Sequence, residues 1–324
     1  MKNILVASPA PRDALDPLAG SANLLWLADM SPEELEAALP SVDCLFVNFW
    51  PKELDGARLA KMTRLSFVQS GLAGVNHIPF GELSPDVTVS SNAGGYSDEV
   101  GEFAWGLLLA GAKRIVRFGA EVSENQLRSP LELGREVVVL RGRTLGVMGY
   151  GGIGRVVARI GAAFGMKVKV YSRRRETGGG VEFFDGASGL DQLLRTSDAV
   201  VLAVPLTNST RKAIGREQLV SMRRGAILVN VARAEVVDQQ AVYEHLVQYK
   251  DFVYATDVWW TKDGRECYPP ELPFLGLRNF IGTPHVAGPS AVASGGPLRN
   301  SLDNLTRYAK GELVRNVVDR SDYL

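Results

Sequence analysis

Residues 144–154 constrain this chain more than any other stretch. Thr144-Leu145-Gly146-Val147-Met148 is a short apolar run, Gly149-Tyr150-Gly151-Gly152-Ile153-Gly154 comes directly after it, and Arg155 to Phe164 then reads as a helix. A second apolar run, Lys167-Val168-Lys169-Val170-Tyr171, completes a strand–helix–strand unit. Each glycine is there for a separate reason. Gly149 permits the tight turn, Gly151 lets a pyrophosphate approach the backbone, and Gly154 lets the helix pack closely on the strand. The helix N-terminus adds unpaired N–H groups and partial positive charge. In this context the pattern predicts a dinucleotide site; a plain strand–helix turn is the alternative.

The same alternation runs on either side. Before it come Ile4-Leu5-Val6-Ala7, Cys44-Leu45-Phe46-Val47, Leu65-Ser66-Phe67-Val68 and Val87-Thr88-Val89. Ser31-Pro32-Glu33-Glu34 reads as a capped helix start. After it come Ala199 to Val204, Ala226 to Asn230, Val253 to Val258 and Phe280 to Thr283. Strands alternating with helices predict α/β architecture: doubly wound parallel sheets with ligands beyond the strands' carboxyl ends. Residues 97–119 read as one long, mostly apolar helix capped by Ser97, and 120–136 as a polar link or an arm reaching a partner subunit. Leu298 to Gly311 reads as a helix returning to the first domain.

With 36 basic and 36 acidic residues the net charge is zero. That leaves no electropositive field for nucleic acid or an anionic membrane. No apolar run has transmembrane length, and the apolar start, Ile4 to Ala7, is too short for a signal peptide. Cys44 and Cys267 lie far apart without metal-ligand spacing, so no metal site is expected and a reducing cytoplasm fits. A length of 324 residues favours two domains.

The end of the second strand bears on the choice of dinucleotide. A carboxylate there would bind the ribose 2′-OH and repel a 2′-phosphate. This chain has Ser172-Arg173-Arg174-Arg175 instead, with no acid before Glu176. Guanidinium forks suit a phosphate dianion, so NADP is expected in preference to NAD. Solvated surface arginines are the alternative.

A hydride-transferring cofactor leaves the protein three roles on a 2-oxo or 2-hydroxy acid: to anchor the carboxylate, to polarise the carbonyl, and to move one proton. Arg233, just past the strand ending at Asn230, suits the first two. His285, in Thr283-Pro284-His285-Val286-Ala287-Gly288, suits the third. A surface arginine and a structural histidine are the competing readings. Two strand-end loops face the same question, Asn48-Phe49-Trp50-Pro51 and Gln69-Ser70-Gly71-Leu72-Ala73-Gly74, where glycines leave N–H groups open to an anion. Ordinary turns are the alternative for both. Phe49, Trp50, Trp259, Trp260 and Tyr268 would serve either as an apolar pocket wall or as core.

Taken together, these stretches resemble the D-isomer-specific 2-hydroxyacid dehydrogenase family. The resemblance rests on Gly149 to Gly154, Val204-Pro205-Leu206-Thr207-Asn208-Ser209-Thr210-Arg211, Gly225 to Arg233 with Val236-Val237-Asp238, Ala255-Thr256-Asp257-Val258-Trp259, Thr283-Pro284-His285 and Ser70 to Val75, in order along most of the chain. It implies a Rossmann cofactor domain (99–288) inserted into a smaller flavodoxin-like substrate domain (1–98 and 289–324), and a homodimer joined through the cofactor domains. It assigns substrate contacts to Leu72, Ala73, Gly74, Arg233 and His285. It places cofactor contacts at Gly149, Gly151, Gly152, Ile153 and Gly154, at Ser172, Arg173 and Arg174, at Val204, Pro205 and Thr210, at Val231, Ala232 and Arg233, at Asp257 on the nicotinamide side, and at His285, Ala287 and Gly288.

One position departs from the family pattern. The family's proton-relay glutamate sits five residues after the aspartate of Asp257-Val258-Trp259, and here that position is Lys262. A carboxylate beside His285 would favour the imidazolium, whereas a lysine would oppose it; Glu266 or Asp263 would substitute if the loop runs differently. Ala234, where glycine is usual, is a smaller departure. The expectation is an NADPH-dependent reductase of a small 2-oxo acid such as glyoxylate or hydroxypyruvate, giving the D-hydroxy acid. The alternatives are a formate- or phosphite-type anion dehydrogenase and a dinucleotide-sensing binding protein.

Overall fold

Short strands, six of them buried along their whole length, build two parallel sheets. The computed structural model describes residues 1–7, 12–126, 128–173, 180–262, 265–288 and 296–324. Contacts divide the chain into two units, Met1–Tyr96 with Ala291–Leu324, and Ser97–Ser290.

In the first unit, β1 (Lys2–Val6), β2 (Ala22–Trp26), β3 (Cys44–Val47), β4 (Phe67–Ser70) and β5 (Thr88–Ser90) form a parallel sheet in the order β2-β1-β3-β4-β5. Every residue of β3 and β4 is buried, as a sheet covered on both faces requires. Helix α1 (Pro32–Ala38) starts as its sequence predicts. Ser31 Oγ accepts from the Glu34 N–H, and a Glu34 carboxylate oxygen accepts from the Ser31 N–H. Helix α2 (Gly56–Lys61) is capped by Asp55. The C-terminal helix Gly296–Ala309 covers one face, bringing Leu298, Leu302, Leu305 and Tyr308 onto Ile4, Val6, Phe46 and Phe67. Its buried Asn304 donates to Gln69 Oε1 at 2.7 Å and to the Arg315 carbonyl at 2.9 Å, so its amide is paired rather than stranded in the core.

The second unit opens with three helices, α3 (Ser97–Ala112), α4 (Ile115–Ser123) and α5 (Pro130–Gly134). Its sheet contains β6 (Thr144–Met148), β7 (Lys167–Tyr171), β8 (Glu182–Phe184), β9 (Ala199–Leu202), β10 (Ile227–Asn230), β11 (Val253–Thr256) and, after the small antiparallel pair β12 (Thr261–Lys262) and β13 (Arg265–Glu266), β14 (Phe280–Gly282). The order is β14-β11-β10-β9-β6-β7-β8, all parallel. Helices α6 (Gly152–Ala163), α7 (Gly186–Thr196), α8 (Arg216–Ser221) and α9 (Gln239–Gln248) make the crossovers.

The structure corrects the reading of residues 97–119 as one helix. The chain breaks at Arg114, whose φ of 54° lies in the left-handed region while its guanidinium donates to the Asp251 carbonyl at 2.9 Å. Ser97 is the first helical residue, and its buried hydroxyl has no hydrogen-bond partner among the described residues, so the expected cap is not made. Within 120–136, expected to be a polar link, the last turn of α4 and the short α5 are helical. Among the described residues no helix is long and apolar enough to cross a membrane.

Candidate functional site

The glycine-rich turn between β6 and α6 has the shape its sequence requires. Gly149 has φ +99°, and a Cβ there would meet the Ala203 carbonyl oxygen at 2.5 Å. A Cβ on Gly154 would lie 2.0 Å from the Gly149 carbonyl oxygen, so this close approach admits only glycine. A Cβ on Gly151 would meet nothing within 4 Å: that face of the turn is open. Arg155 makes the first intrahelical bond, to the Gly151 carbonyl, which leaves the Gly152, Ile153 and Gly154 N–H groups without partners inside the helix. Open space beside three such donors fits a pyrophosphate.

The neighbouring strand ends are ordered from within. Thr210 Oγ1 donates to the Pro205 carbonyl at 2.6 Å and accepts from the Thr207 N–H at 2.8 Å, so the hydroxyl closes the loop after Val204. Beyond β7, the Ser172 N–H donates to the Phe184 carbonyl, and Arg173 is exposed. Arg174 lies outside the described residues.

Three adjacent strand ends carry the polar groups. After β10, Asn230 shapes the turn through Val231, Ala232 and Arg233. Its Oδ1 accepts from the Ala232 N–H at 3.0 Å, and its Nδ2 donates to the Arg233 carbonyl at 3.0 Å. After β11, the buried Asp257 carboxylate accepts from Thr283 Oγ1 at 2.6 Å, the Val286 N–H at 3.0 Å and the Ala287 N–H at 2.9 Å. Asp257 therefore fastens the turn after β14 that carries His285. His285 itself holds φ 54°, a conformation non-glycine residues rarely adopt, at the point where Asp257 clamps both flanks. Gly288 is half-buried in the helical turn that begins at Ala287.

The hairpin resolves the departure at position 262. Lys262 pairs with Glu271 at 2.7 Å. The chain reverses between β12 and β13, and the carboxylate brought to His285 is that of Glu266, with Oε1 2.8 Å from Nδ1. The same oxygen lies 3.4 Å from the Trp259 N–H. The hairpin is tied at its base: Thr261 donates through N–H and Oγ1 to Glu235, two residues beyond Arg233, at 3.2 and 2.7 Å. Sequence pattern singles out neither Asn230 nor Glu235, and Glu266 only as a conditional substitute. Their importance lies in contacts, not in spacing.

With Nδ1 held by a carboxylate, His285 Nε2 makes no hydrogen bond among the described residues and is left to give or take a proton. Trp259 and Trp260 are core residues, donating from Nε1 to the Thr283 and Val237 carbonyls; Phe49 and Tyr268 are exposed. In the first unit, Leu72, Ala73 and Gly74 form a half-buried turn directly after β4.

Comparison with known proteins gives the context. Residues 105–287 match the model of the D-isomer specific 2-hydroxyacid dehydrogenase NAD binding domain. The chain is 32% identical over 295 residues to a hydroxypyruvate reductase of Thermotoga maritima, covering 89% of this chain and 92% of that protein. It is 33% identical over 306 residues to a glyoxylate reductase of Korarchaeum cryptofilum, covering 91% and 89%. Among solved structures, one from Pyrobaculum aerophilum, described as a candidate formate dehydrogenase, superposes with a TM-score of 0.84 at 32% identity, over the full length of both chains.

Proposed function

Since the chain belongs to the D-isomer specific 2-hydroxyacid dehydrogenase family, oxidoreductases with a nicotinamide-dinucleotide-binding Rossmann domain, we propose that it reduces a small 2-oxo acid of the glyoxylate or hydroxypyruvate type to the D-2-hydroxy acid, with NADPH as the preferred cofactor. The observation that carries this reading is the His285–Glu266 pair on the same sheet edge as Arg233.

Each residue has a derivable role. Arg233 grips the substrate carboxylate and directs an N–H at the carbonyl oxygen, drawing charge onto it. His285 Nε2 gives that oxygen its proton, and Glu266 holds Nδ1 so that the ring keeps one orientation and its charged form has a partner. The reduced nicotinamide, when bound, supplies the hydride. The N–H groups of Gly152, Ile153 and Gly154 would hold its pyrophosphate, and Asp257 keeps the His285 turn in place. In the first unit, the N–H groups of Ala73 and Gly74 are assigned to a carboxylate. The NADPH preference is supported by Ser172 and Arg173 at the end of β7, where no acid stands to repel a 2′-phosphate.

The anion-dehydrogenase reading keeps one support, the likeness to the Pyrobaculum structure, and loses another. A missing relay carboxylate would favour that reading, and Glu266, 2.8 Å from His285 Nδ1, weighs against it.

The deciding experiment follows absorbance at 340 nm with glyoxylate, hydroxypyruvate and other 2-oxo acids, using NADPH and NADH in parallel, and with formate and phosphite in the oxidative direction. Turnover with a 2-oxo acid and a higher kcat/KM for NADPH are expected, and Arg174→Asp should shift that ratio toward NADH. Formate or phosphite oxidation without 2-oxo acid reduction would replace the proposed reaction with the anion reading.

A further inference from the structure

The turn after β4 is fixed peptide by peptide. The Gly71 N–H donates to the Val47 carbonyl at 2.7 Å, and the Leu72 N–H to Ser70 Oγ at 3.0 Å. Their carbonyls are held twice each. Gly71 O accepts from Asn92 Nδ2 at 2.9 Å and from the Tyr96 hydroxyl at 2.8 Å. Leu72 O accepts from the Asn92 N–H at 2.9 Å and from Ser70 Oγ at 3.0 Å. The N–H groups of Ala73 and Gly74 make no hydrogen bond among the described residues. In a planar trans peptide the C=O and N–H point opposite ways, so pinning the Leu72 carbonyl inward aims the Ala73 N–H outward.

Asn92 is the centre of this arrangement. It is 1% exposed, and its Nδ2 also donates to the Pro297 carbonyl at 3.0 Å, in the first turn of the C-terminal helix. Both Nδ2 partners are carbonyl oxygens, which only an NH2 group satisfies. The amide oxygen, correspondingly, has no partner among the described residues. A buried, unpaired acceptor is costly, and the residue holds it while committing both its donors to carbonyls.

We propose that Asn92, assisted by Tyr96, is the positioning residue of the carboxylate-binding turn: it locks the Gly71 and Leu72 peptides between β5 and the C-terminal helix, and so presents the Ala73 and Gly74 N–H groups to the substrate. The inference rests on the reading of those two N–H groups as carboxylate donors.

The test compares Asn92→Asp, Asn92→Ala and Tyr96→Phe with Ala73→Pro and Gly74→Pro, which delete the proposed donors. KM and kcat for the best 2-oxo acid, Kd for NADPH, and Tm are measured for each. A carboxylate at 92 would face two carbonyls, so Asn92→Asp should raise KM by about tenfold or more, the scale of one lost hydrogen bond, and by more than Asn92→Ala. Its kcat should stay within about threefold and NADPH affinity should hold, the pattern of lost substrate binding. Tyr96→Phe should give a smaller rise in KM. Asn92→Asp with a lowered Tm but wild-type KM would reduce Asn92 to a structural role and overturn the proposal. Wild-type KM in folded Ala73→Pro or Gly74→Pro would overturn the carboxylate reading itself, and the proposal with it. A raised KM in the proline variants alone would leave that reading standing and remove only Asn92.

Discussion

At the scale of single residues, the His285–Glu266 pair was half legible. Arg233 and His285 stand just beyond apolar runs, where a doubly wound sheet presents its ligands, and that placement is a matter of pattern. Glu266 was not recoverable the same way. Counting from Asp257 lands on Lys262, and only the reversal between β12 and β13 brings a carboxylate from four residues further on to His285. Glu266 and Lys262 therefore make opposite predictions. Glu266→Gln removes a charge-assisted hydrogen bond of about 1.5–3 kcal/mol, so kcat/KM should fall about ten- to a hundredfold. Lys262 and Glu271 are both largely exposed, at 64% and 56%, and Lys262→Ala should leave kcat/KM within about twofold. Steady-state kinetics of the two variants checks both, and a large loss on Lys262→Ala with none on Glu266→Gln would reverse the assignment.

At the scale of elements, the buried central strands were readable as apolar runs, while the edge strands β2 and β8 were not. Each lies at one rim of its sheet and is mostly half-buried or exposed, and β8 is only three residues long, so neither has the continuous buried run of a central strand. The break between α3 and α4 was hidden for a different reason: no glycine or proline marks Arg114, and the bond to Asp251 that accompanies its left-handed backbone comes from far along the chain. Beyond the break lies an ionic cluster. Glu121 is 4% exposed and is met by Arg117 and Arg128, both at 2.9 Å, and by Arg278 at 3.3 Å; the first two arginines also bind Glu136. Hydrogen bonding from Arg128, then Arg117, holds the Glu121 carboxyl below its ordinary value of 4.5. Burial alone would raise Glu136, but Arg128 and Arg117 outweigh it and hold it lower too. A depressed folded-state value means the stabilisation is complete above 4.5 and is lost as pH falls below it through the folded value. Thermal unfolding between pH 3 and 7 should show a steep acid limb in the wild type. Glu121→Gln should lower Tm at pH 7, because three arginines lose their shared anion, and should flatten that limb. An unchanged Tm at pH 7 would show the cluster to be energetically idle.

At the scale of the whole molecule, the return of the C-terminal helix to the first unit was read from the pattern of Leu298 to Gly311 and implied by the family likeness, while the packing of Leu298, Leu302 and Leu305 into that unit's core is visible only in the structure. The same scale holds the question of assembly. In α4 and its flanking segments, and at Leu275, the second unit leaves Ile115, Val116, Val122, Leu131, Val139 and Leu275 between 53% and 73% exposed. Ile115 and Val122 lie two turns apart on one face of α4, beside a cleft of about 300 Å³ lined by Val116, Leu275 and Arg278. Large apolar side chains are costly to leave in water, and a self-complementary twofold contact buries each of them twice, once per copy. A stable dimer needs about 800 Å² from each partner, and α4 with its flanking segments is the natural source of that surface. The expected state is a homodimer through this unit. Sedimentation equilibrium should give twice the mass of one chain. Val116→Asp combined with Val122→Asp should return it to the mass of one, with a lower Tm that no longer depends on protein concentration. A wild-type protein sedimenting as a single chain at micromolar concentration would instead mean that these side chains serve some contact other than self-association.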